Sequence, residues 1–581
     1  MVYVTDDNLD QTGRALLDTD TTSDRLKTPK KRMPAKLPLD FKKWTVNKIV
    51  QYLEQEELGR WADKFKEKHI TGDQLQTLTA ANLEDMGIKK PNDRERILLC
   101  IRKLWKVQVK VFNDPIHGHM ELHPLLVKII DTPQFQRLRS IRQLGGTYFV
   151  YPGASHNRFE HSIGVAHLAG QLGQALKTKQ PGLNITDRDI LCVQIAGLCH
   201  DLGHGPFSHL YDGMFIPKAR PGNKWKHETA SLAMFDHLVK CNKLEDVMKQ
   251  YGLNLSEDLD FIKEMIDRDN DKDQEWLHKG RPKDKSFLYE IVSNKTNGID
   301  VDKFDYFARD CYHLGVQINF DYHRFLKFAR VCEVDGWKHI CVRDKEEDNM
   351  TEMFHTRLCL HRRAYQHKVT KIIETMITDA FLKADKHIKI EGTGKKTFRL
   401  STAIDDMEAY TKLTDAVFEK ILNCAFDAPQ ELRDARDILR RIINRDLYRF
   451  LGETRFEDPT EEIIPAWKRE LAEALGDGLT EDDFEIVTIK MDYGMKREDP
   501  IDHLYFYTKH DTTRAFNRKR CQVSRIRPMC FSEQLVGFVC KKTDDRNPQA
   551  DVDNFQQWCR AKDFPEYQEN QSELLEDGHQ N

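Results

Sequence analysis

The amino-acid sequence predicts a mainly α-helical protein with a smaller α+β lobe towards its C-terminal end. In residues 44–104 the apolar side chains fall in short groups at helical spacing, which is typical of a small helical bundle over residues 38–106. Longer helical patterns follow and predict a large helical core over residues 107–450. After about residue 450 the apolar residues alternate, as in residues 484–491 and around 504–507, and residues 536–540 are expected to form a partner strand. These patterns indicate strands in an α+β lobe over residues 451–562.

The composition narrows the class of protein. With 581 residues, of which 39% are apolar, the chain is long enough for several domains and one large core. It holds no run of about 18 apolar residues, so we expect no membrane span. Its first residues lack the pattern of a secretory signal, so we expect a protein inside the cell. The 13 cysteines include no Cys-x-x-Cys pair, which argues against a disulfide framework and a zinc finger.

The net charge of -4 gives no overall attraction to nucleic acid or membranes, so any such contact would depend on local clusters of charge. Residues 1–37 are polar, and we expect them to be disordered. Within them, the basic cluster of residues 27–32 is typical of a nuclear address, although a solvated charge run is an alternative. It also places Thr28 before a proline, as in a proline-directed phosphorylation site. Residues 563–581 predict a flexible acidic tail.

A cluster of histidines and aspartates in residues 197–212 carries the strongest chemical signal. Its members are His200, Asp201, His204, His209 and Asp212. With 23 histidines in 581 residues, a window of this size should hold at most about one, and this one holds three. A lone His-Asp pair is more often a satisfied part of a core. The cluster instead favours a site for a borderline cation such as zinc, iron, manganese or nickel.

The neighbouring pattern predicts how this cluster is held. Thr186 and Asp189 fit a capping box at the start of an apolar helix. Gly203 and the Gly-Pro pair at residues 205–206 end that helix. We therefore expect the adjacent His-Asp pair on the last helical turn and the rest of the cluster on the loop that follows.

Two distant positions can complete a metal site. Asn157 can cap a helix in which His161 lies one turn from the start, beside Arg158, a natural phosphate ligand. Asp302 stands at the head of another helix. The site would then have two imidazole and two carboxylate ligands.

Further elements are predicted around these positions. Residues 109–118 indicate a strand that enters a turn, and residues 122–144 indicate a helical stretch rich in charges. Residues 330–343 predict a hairpin with a primed turn, which places Cys332 diagonal to Cys341. Diagonal neighbours lie about 7 Å apart, so a disulfide there would need backbone movement.

A long helix is expected from about Thr351. Its residues Arg357, His361, Tyr365 and Lys368 follow at spacings of three and four, which predicts one polar face. A solvated basic face is the alternative, but an aromatic residue among the charges favours contact with a nucleotide.

Two segments resemble known domains. Residues 70–72 (Ile-Thr-Gly) and 86–88 (Met-Gly-Ile) make the first bundle resemble a sterile alpha motif (SAM) domain, a module that binds proteins and in some cases RNA. His161, the His200-Asp201 pair and Asp302 resemble the metal ligands of HD-domain phosphohydrolases. With both domains and the sequence Asp-Pro-Ile-His-Gly-His at residues 114–119, residues 44–559 resemble the vertebrate SAM and HD domain-containing deoxynucleoside triphosphate triphosphohydrolases.

The resemblance implies a reaction and its cofactors. It implies hydrolysis of dNTPs to deoxynucleoside and inorganic triphosphate, a reaction that would limit the cellular dNTP pool. The enzyme would be a nuclear homotetramer that GTP and dNTPs activate. It also implies one transition metal (Zn, Fe or Mn) at the HD site and Mg with the bound nucleotides. The alternatives are a metal-dependent nuclease, or a scaffold for single-stranded nucleic acid whose HD pocket is vestigial. Both alternatives predict salt-sensitive binding to long strands.

The resemblance also assigns roles to residues at the reaction site. His227 would protonate the departing 5′ oxygen, and Asp212 would orient the His227 ring or favour its charged form. Gln143 and Asp310 would bind the 3′ hydroxyl, Leu144 and Tyr365 would crowd the 2′ position, and Gln366 would contact substrate. The phosphates would meet a cradle formed by Arg158, His204, His209, Lys303, Tyr306 and Arg357.

Two activator sites are implied in the same way. The guanine nucleotide site would use Lys110, Val111, Asp131, Gln136, Arg139 and Arg445. The adjacent deoxynucleotide site would use Asn113, Val150, Arg324, Arg343, Lys345, His367 and Lys368, and Tyr151 and Arg449 stand at neighbouring activator positions. Asp131 would read guanine, because a carboxylate can accept from both donors on that edge of the base.

Overall fold

The computed structural model describes residues 41–76, 78–106, 109–267, 276–456, 462–476, 478–517, 528, 530–542 and 547–564. The predictions for residues 1–37, with Thr28 and the basic cluster, and for most of residues 563–581 lie outside these ranges. Within them, no helix combines the length and apolar character needed to cross a bilayer. The mainly α-helical fold class is confirmed.

The first helical unit is a bundle with a core of its own. Its helices are α1 (Val46–Gln55), α2 (Ala62–Glu67), α3 (Ala80–Asp85) and α4 (Pro91–Lys106). Trp44, Leu53 and Phe65 are buried at its centre. The Tyr52 hydroxyl donates to the carbonyl of Cys100 at 2.8 Å and ties α1 to α4. The predicted small bundle is therefore confirmed.

A short hairpin opens the large core. Strands β1 (Lys110–Asp114) and β2 (Gly118–Leu122) pair antiparallel. The continuous helical stretch expected over residues 122–144 is wrong, because two prolines restart the chain. Helices α5 (Pro124–Ile130) and α6 (Pro133–Gln136) give way to the 3-10 turns Arg137–Ser140 and Gly145–Phe149.

Two packed helices form the centre of the large core. They are α7 (Arg158–Lys179) and α8 (Asp187–Cys199), and a Cβ atom on Gly197 of α8 would lie 3.2 Å from Val165 of α7. The capping box at the start of α8 is confirmed, since the Thr186 N–H donates to Asp189 at 2.9 Å. Helix α8 ends at Cys199, so His200 caps it and Asp201 lies just beyond the expected last turn.

Six more helices of the described residues follow in the large core, and a π-helical turn, Tyr211–Phe215, precedes the first of them. They are α9 (Ile216–Ala219), α10 (His227–Cys241), α11 (Leu244–Gln250), α12 (Leu255–Ile266), α13 (Val301–Leu314) and α14 (Tyr322–Phe328). Asp212 was expected on an irregular loop but lies within the π-helical turn.

The predicted second hairpin is confirmed. Strands β3 (Arg330–Val334) and β4 (Trp337–Arg343) pair antiparallel, with positive φ at Asp335 and Gly336. Cys332 faces His339, whereas Cys341 faces Arg330, so the two cysteines are diagonal as expected.

The long helix expected from Thr351 is interrupted. Helix α15 (Glu347–Leu360) passes into a second π-helical turn, His361–Tyr365, and α16 (Lys368–Ala384) starts anew after His367. The continuous helix as far as Lys368 is therefore wrong, because the extra residue of a π turn shifts the helical register, but Arg357, His361 and Tyr365 still line one pocket, as the predicted polar face requires. The core closes with β5 (Ile390–Glu391), β6 (Thr397–Phe398), α17 (Met407–Thr411), α18 (Ala416–Leu422) and α19 (Gln430–Ile443).

The C-terminal part contributes to two sheets. Strands β7 (Arg449–Arg455), β8 (Phe484–Asp492) and β11 (Ser532–Cys540) form an antiparallel sheet in the order β7-β11-β8, covered by α20 (Ile463–Leu475) and α21 (Pro548–Ala561). The expected pairing of residues 484–491 with 536–540 is confirmed. Strands β9 (Phe506–Tyr507) and β10 (Ala515–Phe516) instead extend the β3–β4 hairpin in the order β10-β9-β4-β3. The C-terminal lobe is thus joined to the large core, where Leu504 and Phe506 are buried.

Candidate active site and metal centre

A pocket of about 470 Å³ lies between α7, α10, α13, α15 and the loop that follows α8. Polar side chains from distant parts of the sequence line it. The predicted residues among them are Gln143, Leu144, Arg158, Asp201, His204, His209, His227, Asp302, Tyr306, Asp310, Arg357, Tyr365 and Gln366.

The four predicted metal ligands converge at one wall of this pocket. The Nε2 atom of His161 lies 3.1 Å from Asp302 Oδ1 and 3.5 Å from Asp201 Oδ2. The Nε2 atom of His200 lies 3.2 Å from Asp302 Oδ1 and 3.3 Å from Asp201 Oδ1. Both imidazole nitrogens therefore face both carboxylates, and ligand atoms of His161, His200 and Asp201 all lie within 4.8 Å of one another.

The opposite ring nitrogens are held by the protein. His161 Nδ1 lies 2.7 Å from Asp305 Oδ2, and His200 Nδ1 lies 2.8 Å from the carbonyl of Gly197. These acceptors place the proton on Nδ1 and leave the Nε2 lone pair facing the centre. Within the described residues both Nε2 atoms are buried without a hydrogen bond of acceptable geometry. This arrangement fits a divalent transition metal bound by two imidazoles and two carboxylates.

The electrostatics of the centre also favour a cation. Burial opposes ionisation of Asp201, but the charges of Arg158 and His200 outweigh it and hold the pKa of Asp201 well below its ordinary value. Burial lowers the pKa of His161, but the carboxylates of Asp302 and Asp305 outweigh burial and raise the pKa to about 10. Positive charge is therefore stabilised at the position that a metal would occupy.

A second group of ionisable side chains lies beside the centre. His227 Nδ1 is 2.6 Å from Asp212 Oδ2, and the His227 ring stacks on His204 with centroids 4.0 Å apart. Burial lowers the pKa of His227, but the hydrogen bond to Asp212 outweighs burial and raises that pKa above 6.5. Burial lowers the pKa of His204 well below its ordinary value, and the charges of Arg158 and His227 lower it further. The pair thus combines a ring that holds a proton with a ring that stays neutral.

The loop between His204 and His209 is held in an unusual conformation. Phe207 and Ser208 both have positive φ, 60° and 56°, which costs a non-glycine residue about 1–3 kcal/mol. The buried carboxyl group of Asp415 accepts the N–H of Phe207 at 2.7 Å and the N–H of Arg142 at 2.9 Å. A Cβ atom on Gly145 would lie 2.5 Å from the Phe207 carbonyl oxygen, so that position requires glycine. Two segments that line the pocket are thereby locked together.

Cationic side chains line the pocket, although not all are free to meet an anion. Arg158 donates to Asp201 at 2.7 Å, to Ser208 at 3.0 Å and to the Gln143 carbonyl at 3.2 Å. Arg357 donates to Asp492 at 3.2 Å. Lys303 was expected to contact phosphate, but its Nζ lies 3.2 Å from both carboxylate oxygens of Asp300. Lys303 therefore lies outside the pocket lining, with its charge already paired.

The other end of the pocket has a polar pair that suits a sugar hydroxyl. Asp310 accepts from the Tyr365 hydroxyl at 2.5 Å, and its other oxygen lies 2.6 Å from His156 Nε2. The amide oxygen of Gln143 is buried there without a hydrogen-bond partner among the described residues. The expected grouping of Gln143, Leu144, Asp310 and Tyr365 is present in one pocket.

The predicted activator residues lie outside the pocket lining, and the structure groups some of them. Arg139 Nε donates to Gln136 at 2.7 Å, and Gln136 donates to the carbonyl of Ile130, the residue before the exposed Asp131. Tyr151 packs edge-on against His367 with centroids 6.2 Å apart. The guanidinium groups of Arg324 and Arg449 pair with Glu346 and Asp551. Other predicted members lie on hairpins and at helix ends: Lys110, Val111 and Asn113 on β1, Arg343 at the end of β4, Lys345 in the 3-10 turn that follows, and Lys368 at the start of α16. Arg445, just after α19, donates to the Phe149 carbonyl at 2.7 Å and so lies beside Val150.

Sequence reasoning missed several residues of the site. Asp305 holds the metal ligand His161, and Asp415 holds the loop at Phe207. Neither aspartate shares a local sequence motif with its partner. Lys371 and Glu374 also line the pocket, whereas His361, which lines it too, belongs to the polar face that the sequence predicted. The spacing from Asp302 to Asp305 along one helix was the one available signal for any of them, because residues three apart share a helical face.

Comparison with known proteins gives both domains a name. Residues 42–104 match the sterile alpha motif domain, and residues 158–309 match the HD domain. Several relatives carry the name deoxynucleoside triphosphate triphosphohydrolase SAMHD1 or its homolog. The protein from Danio rerio is 58% identical over 544 residues, covering 91% of this chain and 87% of its own length. The protein from Homo sapiens is 53% identical over 552 residues, covering 91% and 87%.

A more distant relative extends the comparison beyond vertebrates. The homolog from Dictyostelium discoideum is 39% identical over 439 residues, covering 75% of this chain and 78% of its own length. The chain therefore belongs to the SAMHD1 family of deoxynucleoside triphosphate triphosphohydrolases.

Proposed function

We propose that the chain is a metal-dependent hydrolase that converts a dNTP and water to a deoxynucleoside and inorganic triphosphate, and so limits the dNTP pool. One observation carries the proposal. The His161, His200, Asp201 and Asp302 centre and the His227–Asp212 pair face the same pocket, whose far end offers acceptors for a sugar hydroxyl. A phosphate and a deoxyribose can therefore lie in one pocket, with the bond between them next to an acid.

The four-residue centre would hold one transition metal, Zn, Fe or Mn. Such an ion polarises a phosphate oxygen or lowers the pKa of a bound water. The side chains fix its place, because Asp305 and the Gly197 carbonyl orient the two imidazole rings before the ion binds.

His227 would act as the proton donor. In the reaction a water oxygen bonds to the α-phosphorus, and the bond from that phosphorus to O5′ breaks. The departing O5′ needs a proton, which the imidazolium of His227 supplies from Nε2 while Nδ1 stays bonded to Asp212. The neutral ring of His204 stacks behind it and adds no repulsive charge.

The remaining residues bind and orient. Arg158, Arg357 and Tyr306 line the pocket where negative charge accumulates. His209, whose side chain is 70% exposed, would close on the outer phosphates, and Lys303 would need to leave Asp300 to join it.

Selection of deoxyribose would come from the opposite end. Asp310 and Gln143 would hold the 3′ hydroxyl, and Gln366 lies on the same wall. Leu144 and the ring of Tyr365, fixed by its bond to Asp310, would leave no room at the 2′ position. A ribonucleotide should therefore bind poorly.

We also propose that GTP and dNTPs activate the enzyme by assembling a homotetramer, with Mg bound to the nucleotides. The predicted activator residues support this, because they lie outside the pocket and several are exposed. Asp131 would distinguish guanine from adenine by accepting from N1–H and the 2-amino group. The basic cluster of residues 27–32 supports a nuclear location.

One assay separates this proposal from its alternatives. Purified full-length protein is incubated with dATP, GTP and Mg²⁺, and in parallel with a single-stranded DNA oligonucleotide. We expect deoxyadenosine and triphosphate in equal amounts, an intact oligonucleotide, and no product from the Asp302→Ala variant. Pyrophosphate with dAMP would refute the site of cleavage. Cleavage of the oligonucleotide would indicate a nuclease, and salt-sensitive binding without any turnover would indicate a scaffold.

A further inference from the structure

A buried network of charges lies behind the metal centre. Asp305 is fully buried, and each of its oxygens has two partners. Oδ2 lies 2.7 Å from His161 Nδ1 and 2.8 Å from Arg309 Nε. Oδ1 lies 2.7 Å from His117 Nε2 and 2.9 Å from Arg309 Nη2. The carboxylate has little freedom to rotate, because four contacts hold it.

The backbone of α7 restricts Asp305 further. Gly164 lies three residues after His161 on α7, and a Cβ atom there would overlap Asp305 Oδ1. The absence of a side chain at Gly164 lets the carboxylate lie directly against the helix that carries the metal ligand. The position of Asp305 therefore sets the direction of the His161 ring.

His117 reaches this network from the β1–β2 hairpin. Its side chain is only 2% exposed although it belongs to a turn. The turn is folded around Asp114, whose Oδ1 accepts the N–H groups of Ile116 and His117, both at 2.9 Å. Asp114 Oδ2 in turn accepts from Arg309 at 2.8 Å. The hairpin is thus tied to Asp305 twice, directly by His117 and indirectly through Arg309.

The surrounding hydrogen bonds determine which group donates in the contact between His117 and Asp305. The Tyr322 hydroxyl lies 3.0 Å from His117 Nδ1 and can donate to it. His117 then carries its proton on Nε2 and donates to Asp305, as the carboxylate requires. With His117 as a donor, Asp305 Oδ1 accepts two hydrogen bonds, whereas with Arg309 alone it would accept only one.

We propose that His117 is a positioning residue for the metal centre, which acts through Asp305 to hold the ring of His161 in the direction that a metal ion needs. This inference rests on the proposed metal-dependent function. It also makes the β1–β2 hairpin, whose first strand carries Lys110, Val111 and Asn113, a structural support of the metal centre. Residues that support a metal-bound imidazole affect metal affinity by about 10–100-fold when they are replaced.

The test follows the release of metal rather than turnover alone. Full-length parent and variants are purified with their metal, diluted into excess EDTA, and sampled for bound metal by elemental analysis. His117→Phe keeps a ring but removes both hydrogen bonds, so we expect it to lose metal about 10–100-fold faster. His117→Gln keeps an amide N–H near the position of Nε2, so we expect release close to that of the parent. Glu121→Ala, at an exposed position of the same hairpin, should match the parent.

A second measurement separates positioning from general stability. Thermal unfolding is compared with and without bound metal. Because a ligand stabilises the folded state according to its affinity, His117→Phe should reduce the stabilisation that metal provides. If both forms are destabilised equally, or if His117→Phe releases metal at the parent's rate, the inference is wrong. A parent that holds metal and releases triphosphate while all variants behave alike would overturn only this inference. A parent that binds no metal would overturn the proposed function and this inference together.

Discussion

The buried carboxyl group of Asp415 should make stability depend on pH in an unusual direction. Burial raises the pKa of Asp415 from 3.8 to about 7, against the opposing effect of its bonds from the Phe207 and Arg142 N–H groups. The folded state therefore binds this proton more tightly than the unfolded chain does. The stabilisation is fully present below pH 3.8 and is lost as the pH rises through about 7. At about 1.4 kcal/mol per pKa unit, the ionised form costs the folded state on the order of 4 kcal/mol.

Asp415→Asn tests this reasoning, because it removes the charge and keeps most of the shape. The amide oxygen can accept one N–H, but the amide NH₂ faces the other, and an unpaired buried donor costs about 1–3 kcal/mol. The variant should therefore be less stable than the parent at pH 5 and equally or more stable at pH 9. Thermal unfolding midpoints at matched ionic strength measure the difference, with the exposed Asp427→Asn as control. A difference between variant and parent that stays constant from pH 5 to 9 would refute the argument.

The proposed chemistry predicts three further results. Asp201→Ala and Asp302→Ala should lose metal and turnover together, and elemental analysis showing full metal occupancy would contradict their role as ligands. His227→Ala should lower turnover by ~10²-fold or more while metal persists. Because the bond to Asp212 raises the pKa of His227, the parent should lose turnover only as the pH passes above that raised value, and the variant should lack this decline. Asp131→Ala should abolish GTP-dependent assembly in sedimentation experiments, and tetramers at the parent's GTP concentration would show that Asp131 does not read guanine.

The metal ligands could be predicted because their chemistry is visible in the chain. A His-Asp pair at the end of a capped apolar helix, a histidine at the start of another helix and an aspartate at the head of a third have few other uses. The spacing from Asp302 to Asp305 could place Asp305 on the helical face of the metal ligand, but it could not identify His161 as its partner, because a carboxylate inside a helix gives no sign of what packs against it. The contact depends on the approach of α7 to α13, which Gly164 permits.

The errors in the fold have local causes as well. The segment of residues 122–144 has the composition of a helix, but Pro124 and Pro133 each start a new one, since proline suits the first turn of a helix better than its interior. The pairing of β9 with β4 joins residues far apart in the sequence, and two-residue strands carry too little pattern to identify a partner. Capping boxes and the primed hairpin turn were predictable because each depends on residues that are adjacent in the chain.

The two π-helical turns have a consequence for the kinds of genetic change that the protein can tolerate. Tyr211–Phe215 carries Asp212, and His361–Tyr365 carries Tyr365. A π turn contains one residue more than an α-helical turn. Loss of a single codon from either turn would therefore leave a more regular helix and would shift the side chains of the turn itself, Asp212 in one case and Tyr365 in the other. The irregular backbone at these two places is thus part of what positions the residues at the pocket, so a deletion that made the helix more regular would be expected to lower activity.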